Sequence, residues 1–199
     1  MKINRSRLLV DSGQTGDNGV GSVPFIERSD FIKILGDAVA GPLGTLAVIT
    51  RRLYLFPIQF QRQVEIDGLR INVTNATAGS LCSVGIYSNR ELNPVGDSPS
   101  VLLRSVDTLT TTVTGDRTAT ASFIFSKDTL YWIGVICNGA PTLRALTTAN
   151  LNSSLGRVPN SNTAYTHLHR NLATHVLPET ITESLTISTG NIPAVYILE

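Results

Sequence analysis

Apolar and polar positions alternate with a period of two along much of the chain. Leu69, Ile71 and Val73 fall on one side of a stretch whose other side is Arg70, Asn72 and Thr74, the pattern of a half-buried strand. Leu81–Tyr87 repeats it, with Cys82, Val84 and Ile86 on one face. Leu130–Cys137 differs: LYWIGVIC is an unbroken, uncharged apolar run rich in aromatic and β-branched residues. It is too short to cross a membrane and too β-prone for a core helix, so it predicts a central strand buried on both faces. Further strands are predicted over Leu46–Thr50, Leu53–Phe60, Val64–Thr74, Val101–Val106, Leu109–Val113, Ala119–Phe125, Thr142–Leu146 and Ala194–Leu198. Pro57 demotes part of its strand to an edge or a bend. Asn75–Gly79, Gly115-Asp116 and Lys127-Asp128 read as turns, and Asn89–Ser100, with two prolines, as a long turn region. Thr147–Thr174 is polar and irregular, predicting long loops with one strand around Tyr165–His169. Strands at intervals of roughly 8–12 residues between Gly, Pro, Asn and Asp turns predict an all-β, antiparallel sandwich or barrel, and the buried Leu130–Cys137 strand favours a β-sandwich.

The first 43 residues break this pattern. Asp11–Ser22, DSGQTGDNGVGS, holds four glycines and no large apolar residue except Val20, which predicts a loop or extended arm. Pro24–Leu35 then sets Phe25, Ile26, Phe31, Ile32, Ile34 and Leu35 among charges. Ser29 or Asp30 would cap a short helix through Leu35, with Gly36 as its stop. A helix of one or two turns is marginal alone. It needs a surface, either its own domain or a neighbouring subunit, and the neighbour is the favoured reading. Phe25, Ile26, Phe31, Ile32 and Leu35 are the expected assembly contacts. The division is an N-terminal arm over 1–43 and a sandwich over 44–199.

Composition narrows the function classes. Of 199 residues, 42 % are hydrophobic, enough for a packed core and against disorder. Only 16 % are charged, against about 25 % in an average soluble domain. Thr, Ser and Asn take the surface instead, which suits packing against other proteins and also the plain preference of strands for Thr. A net charge of +1 gives no electrostatic footprint for nucleic acid, and the basic pair Arg51-Arg52 at the start of a strand reads as a solvated edge rather than a phosphate site. The apolar run behind Lys2, Arg5 and Arg7 is only Leu8-Leu9-Val10, too short for a secretory signal. Neither a membrane span nor a cofactor is expected.

Candidate chemistry is sparse. Cys82 and Cys137 each sit in an apolar strand outside any CxxC pattern. They read as buried thiols, with a disulfide open only if their strands are neighbours. His167 and His169 share a face of a strand, and His175 stands ready as a third ligand, but no Cys or carboxylate lies at ligand spacing. Surface or interface histidines are the plainer reading. Glu65 and Asp67 flank Ile66 on one strand, whereas glycosidase carboxylates come from separate elements across a cleft. No G-x-S-x-G elbow is present. Enzymatic activity is not expected. The Asn-rich stretch Asn150–Asn162 with Tyr165 offers a glycan-facing loop, with Asn160, Asn162 and Tyr165 as its candidates. Trp132 and Tyr87 are the expected core anchors, the indole N–H of Trp132 needing a partner.

Several pieces occur in a distinctive order. A Pro-interrupted strand, Tyr54–Phe60, precedes SVGIY at Ser83–Tyr87 and a Pro/Gly turn at Asn93–Gly96. A Leu-rich strand, Val101–Ser105, leads through a Thr-rich pair to Leu130–Trp132 and then APTLR at Ala140–Arg144. Leu177-Pro178 and Pro193–Tyr196 close the chain. This order resembles a β-sandwich module of tailed-bacteriophage virion proteins. The resemblance covers about four-fifths of the chain, and the joint order of GIY, LYW and APTLR carries it. It implies a jelly-roll-like body in a tail, fibre or capsid-surface protein, without catalysis. The expected partners are other virion proteins and copies of this chain, a trimer being favoured. The expected location is the virion, after synthesis in a bacterial cytoplasm. Recognition of a host surface glycan is the alternative.

Overall fold

The computed structural model describes residues 33–35, 43–92, 96–147 and 166–198. Among these the regular structure is entirely β. Thirteen strands follow in order: β1 (Lys33–Leu35), β2 (Gly44–Ala47), β3 (Arg52–Gln59), β4 (Val64–Asn75), β5 (Leu81–Leu92), β6 (Gly96–Thr110), β7 (Gly115–Phe125), β8 (Leu130–Cys137), β9 (Thr142–Leu146), β10 (His167–Asn171), β11 (Thr186–Ser188), β12 (Ile192–Pro193) and β13 (Val195–Leu198).

They form two antiparallel sheets. The six-stranded sheet runs β11-β10-β3-β8-β5-β6. The seven-stranded sheet runs β1-β13-β4-β9-β12, with β7 on the other side of β4 and β2 on β9. The main core lies between them. Tyr54, Phe56, Ile58, Cys82, Val84, Ile86, Ile133 and Val135 face Leu69, Ile71, Val73, Leu143, Val195 and Ile197. The period-two alternation of β4 and β5 is therefore the inward face of each sheet.

β8 lies between β3 and β5, buried along nearly its whole length. Its second face belongs to a separate core. Leu53, Leu55, Tyr87, Trp132 and Ile136 are covered by Leu177 and Ile181, with Leu172 and Leu185 alongside. The cover is an irregular strap, residues 172–185. It is held by Leu102 N–H to the Glu179 carbonyl (2.8 Å) and Ile181 N–H to the Ser100 carbonyl (2.8 Å). Tyr87 Oη also donates to the Pro178 carbonyl (3.1 Å).

Two cross-strand glycines make room for this layer. Gly85 and Gly134 are register partners. A Cβ on Gly85 would lie 2.7 Å from Leu177 Cδ1, and one on Gly134 would lie 2.8 Å from Tyr87 Cε2. Trp132 is fully buried, and its Nε1–H donates to Asn89 Oδ1 (2.9 Å).

Several expectations change. Lys33–Leu35 is a strand paired with Val195–Ile197, not the end of a short helix; three backbone units satisfied on a sheet edge outweigh a marginal helical turn. β2 ends at Ala47, short of Thr50. Asn89–Ser100 is mostly strand: β5 runs to Leu92 and β6 starts at Gly96, pairing Asn89 with Pro99. Val101–Val106 and Leu109–Val113 are not two strands. β6 is continuous to Thr110, and register shifts against β5 absorb the irregularity, as bulges do. Pro57 sits within β3, paired to Trp132 of β8, while β10 pairs only with Arg52–Leu55. That flank of β3 has already become an edge where the proline removes its donor.

Cys82 and Cys137 are direct partners across β5 and β8 and are joined in a disulfide, both buried. The reading as free thiols gives way because 55 residues of sequence separate two neighbouring strands.

Candidate functional site

The polar side chains that converge in this body do so at the margin of the six-stranded sheet, where β10 pairs with β3. His169 stands opposite Tyr54, and Asn171 opposite Arg52. Side chains alternate along each strand, so Arg52, Tyr54, His167, His169 and Asn171 share the face turned toward the seven-stranded sheet. Burial falls along the row, from His167 at 4 % exposure through half-buried His169 to exposed Asn171.

Backbone geometry fixes the margin. Arg51 adopts the left-handed conformation, with φ of 58°, which costs a non-glycine residue about 1 kcal/mol or more. It is pinned on both sides: its N–H donates to the Cys137 carbonyl (2.7 Å) and its carbonyl accepts from Leu172 N–H (2.8 Å). Arg52 follows in fixed position, its Nε donating to Asn171 Oδ1 (3.1 Å). Tyr54 Oη accepts the Ile49 N–H (3.0 Å). His167 Nδ1 bonds Thr166 Oγ1 (2.9 Å), and its ring lies 5.4 Å from that of Tyr54 and 5.7 Å from that of His169.

The electrostatics are one-sided. Burial, then His169 and Arg52, bring the His167 pKa down to about 4. Burial and Arg52 lower that of His169 as well. Both imidazoles are therefore neutral at pH 7. No carboxylate contributes to either shift. His169 Nδ1 is enclosed and has no hydrogen-bond partner among the described residues.

His175 does not join them. It lies on the strap, its carbonyl accepting from Ser83 Oγ (3.1 Å), across the sheet from His167. Among the described residues no group of three or more His, Cys, Asp or Glu could hold a metal ion.

Other polar groups serve the fold or lie apart. Glu65 and Asp67 are exposed on β4 and, with Arg62, Gln63 and Val64, line an open depression of about 420 Å³. Both come from one strand, so no second wall opposes them. On the outer face of the seven-stranded sheet, Asp116 accepts from Arg70 Nη1 (2.9 Å) and Asn72 Nδ2 (2.6 Å). The Arg70 guanidinium lies 4.9 Å above the Tyr196 ring, which is only 8 % exposed. Exposed apolar side chains include Val101 and Leu103 on β6, the edge of the six-stranded sheet, and Ile124 on β7.

Phe25, Ile26, Phe31 and Ile32, and Asn160, Asn162 and Tyr165, lie outside the described residues; at Leu35 the backbone pairs with Val195. The sequence signals for the margin were the two-residue spacing of His167 and His169 and the basic pair Arg51-Arg52, the latter read as a solvated edge rather than a phosphate site. Tyr54 and Asn171 carried none, and 119 residues separate Arg52 from Asn171. No protein-family model matches the chain, and no curated protein sequence matches it.

Proposed function

We propose that the chain is a non-enzymatic structural component of a tailed-phage virion, a tail, fibre or capsid-surface protein with a jelly-roll-like body. The body, 44–199, presents its Thr- and Asn-rich surface, and the arm, 1–43, attaches it to the particle or to neighbouring copies, a trimer being favoured. The observation that carries this reading is where the family-like residues fall. Gly85 and Tyr87 of SVGIY, Trp132 of LYW and Leu177-Pro178 meet in the strap-covered core. Part of the order that resembles virion modules thus comes together under the strap, while Ile86, Leu143 of APTLR and Val195 pack between the sheets. Gly85, Tyr87, Trp132 and Leu177 hold the strap against the six-stranded sheet, which leaves assembly to the outer surfaces.

Deleting residues 1–32 tests the division of labour, since it spares the β1 pairing. The truncated chain should melt as a folded sandwich and fail to enter particles. Incorporation at the full-length level would remove the arm from the mechanism, and an unfolded product would end the separation of arm and body.

The polar margin of Arg52, His169 and Asn171 favours a second reading, recognition of a host surface glycan. Saturable cell binding by the body, lost on Tyr165→Ala, would support it over a purely structural role.

A further inference from the structure

We propose that the margin formed by Arg52, His169 and Asn171 is a binding site for a single oxyanion, a carboxylate or a phosphate group. The inference rests on the margin's own geometry and stands whether or not the chain belongs to a virion.

Three observations support it. First, the groups are preorganised. Arg52 is held by the pinned backbone of Arg51 and by its Nε bond to Asn171. Its Nη groups make no hydrogen bond to any described residue and remain as donors, in the fork that suits carboxylate and phosphate. Second, among the described residues the site has no counter-charge. The groups facing His169 are Arg52 and Tyr54 of β3 and His167 and Asn171 of its own strand, and Thr186 of β11 is its register partner. Arg170, the next cation, is paired with Glu183. Arg51 is exposed beside Arg52. The cationic groups thus outnumber the carboxylates at this margin. Third, His169 Nδ1 is enclosed and has no hydrogen-bond partner among the described residues, so no group of the fold stabilises a charge on this ring, and an anion at its exposed edge would.

An anion supplies the missing counter-charge. It would accept from the Arg52 Nη groups and from the Asn171 amide, and it would stabilise the protonated form of His169. Binding and proton uptake are then linked: whatever raises the His169 pKa must bind more tightly as pH falls. His167 is already bonded to Thr166 and buried, so it acts as the wall behind the site.

The test is a titration of the full chain with inorganic phosphate and, separately, with glucuronate, read by the NMR shifts of the Arg52 and Asn171 backbone amides and, where it is present, of the His169 ring, at about pH 5.5 and about pH 7.5. Saturable shifts are expected with at least one of them, several-fold tighter at the lower pH. Arg52→Gln should abolish them, while His169→Gln should keep weak binding and lose its pH dependence. Thermal melts of both variants separate loss of binding from loss of fold. Tighter binding of phosphate would point to a phosphate ester as the natural group, and tighter binding of glucuronate to an acidic sugar. No saturable response to either anion, or a response unchanged in Arg52→Gln and His169→Gln, would overturn the assignment.

Discussion

One face of the six-stranded sheet is covered by a second sheet, and the other by a single irregular strap. Apart from the Cys82–Cys137 disulfide, the inter-sheet face needs little more than alternation: Val84 and Ile86 on β5 meet Leu69, Ile71 and Val73 on β4. Any β-branched or aliphatic residue of similar volume fills such a face at modest cost. The strap face needs particular residues at particular places. A chain without a regular backbone ladder must find partners for its carbonyls, and Tyr87 Oη and Ser83 Oγ bond those of Pro178 and His175. It must also come close, and Gly85 and Gly134 leave the space. A sheet face can be built from pattern alone, whereas a strap face needs individual side chains.

Substitutions on the two faces should therefore differ in size and reach. Trp132→Ala is the most severe case. It removes the largest buried side chain and leaves Asn89 Oδ1 without its donor, at about 3–5 kcal/mol. Because Ile133 of the same strand packs in the other core, urea unfolding should remain a single transition moved to lower midpoint. Two separate transitions would show that the cores are independent.

Loss of the Cys82–Cys137 disulfide comes next. A closed loop of this length contributes about 2–4 kcal/mol by constraining the unfolded chain. The Cys82→Ala/Cys137→Ala double variant should melt well below the parent under non-reducing conditions and match it when the parent is reduced.

Leu177→Ala should cost about 2–3 kcal/mol, with a local signature. Hydrogen exchange should quicken in 172–185 and at Leu102, while β4 and β13 stay protected. Equal loss of protection across both sheets would erase the distinction between the two faces.

Acid should weaken the β10 margin. The His167 pKa is lowered from 6.5 to about 4 in the folded protein. The unfolded chain therefore takes up the proton first, and the contribution of this group is present above pH 6.5 and lost as pH falls toward 4. The loss should reach about 2 kcal/mol by about pH 5. Melting of His167→Gln across this range should show a flatter pH dependence.

Asp116→Asn is the smallest effect. Its pair with Arg70 is partly exposed, so a change within about 1 kcal/mol is expected, with no effect on the strap.

The same contrast explains what the sequence revealed. Leu130–Cys137 and Thr142–Leu146 were legible to the residue, since apolar runs bounded by Asn138-Gly139 and Pro141 leave little choice. The inward rows of β4 and β5 were legible from period two. Three things were not. β6 hid as two strands because bulges let it carry Asp107 without losing its pairing. The hairpin through Asn89 and Pro99 hid because prolines mark turns more often than edge strands. The strap, the disulfide and the Arg52–His169–Asn171 margin all depend on which distant strands become neighbours, and local pattern holds no record of that. Only the room left by Gly85, the basic pair Arg51-Arg52 and the shared face of His167 and His169 hinted at them.

We propose that this doubly covered body belongs to a virus particle. Electron microscopy of intact particles labelled with an antibody against the chain tests it most directly. The account predicts regular label on the particle surface, around the capsid for a head protein or along the tail or its tip for a tail or fibre protein. Absence of label on both intact and disrupted particles would contradict it.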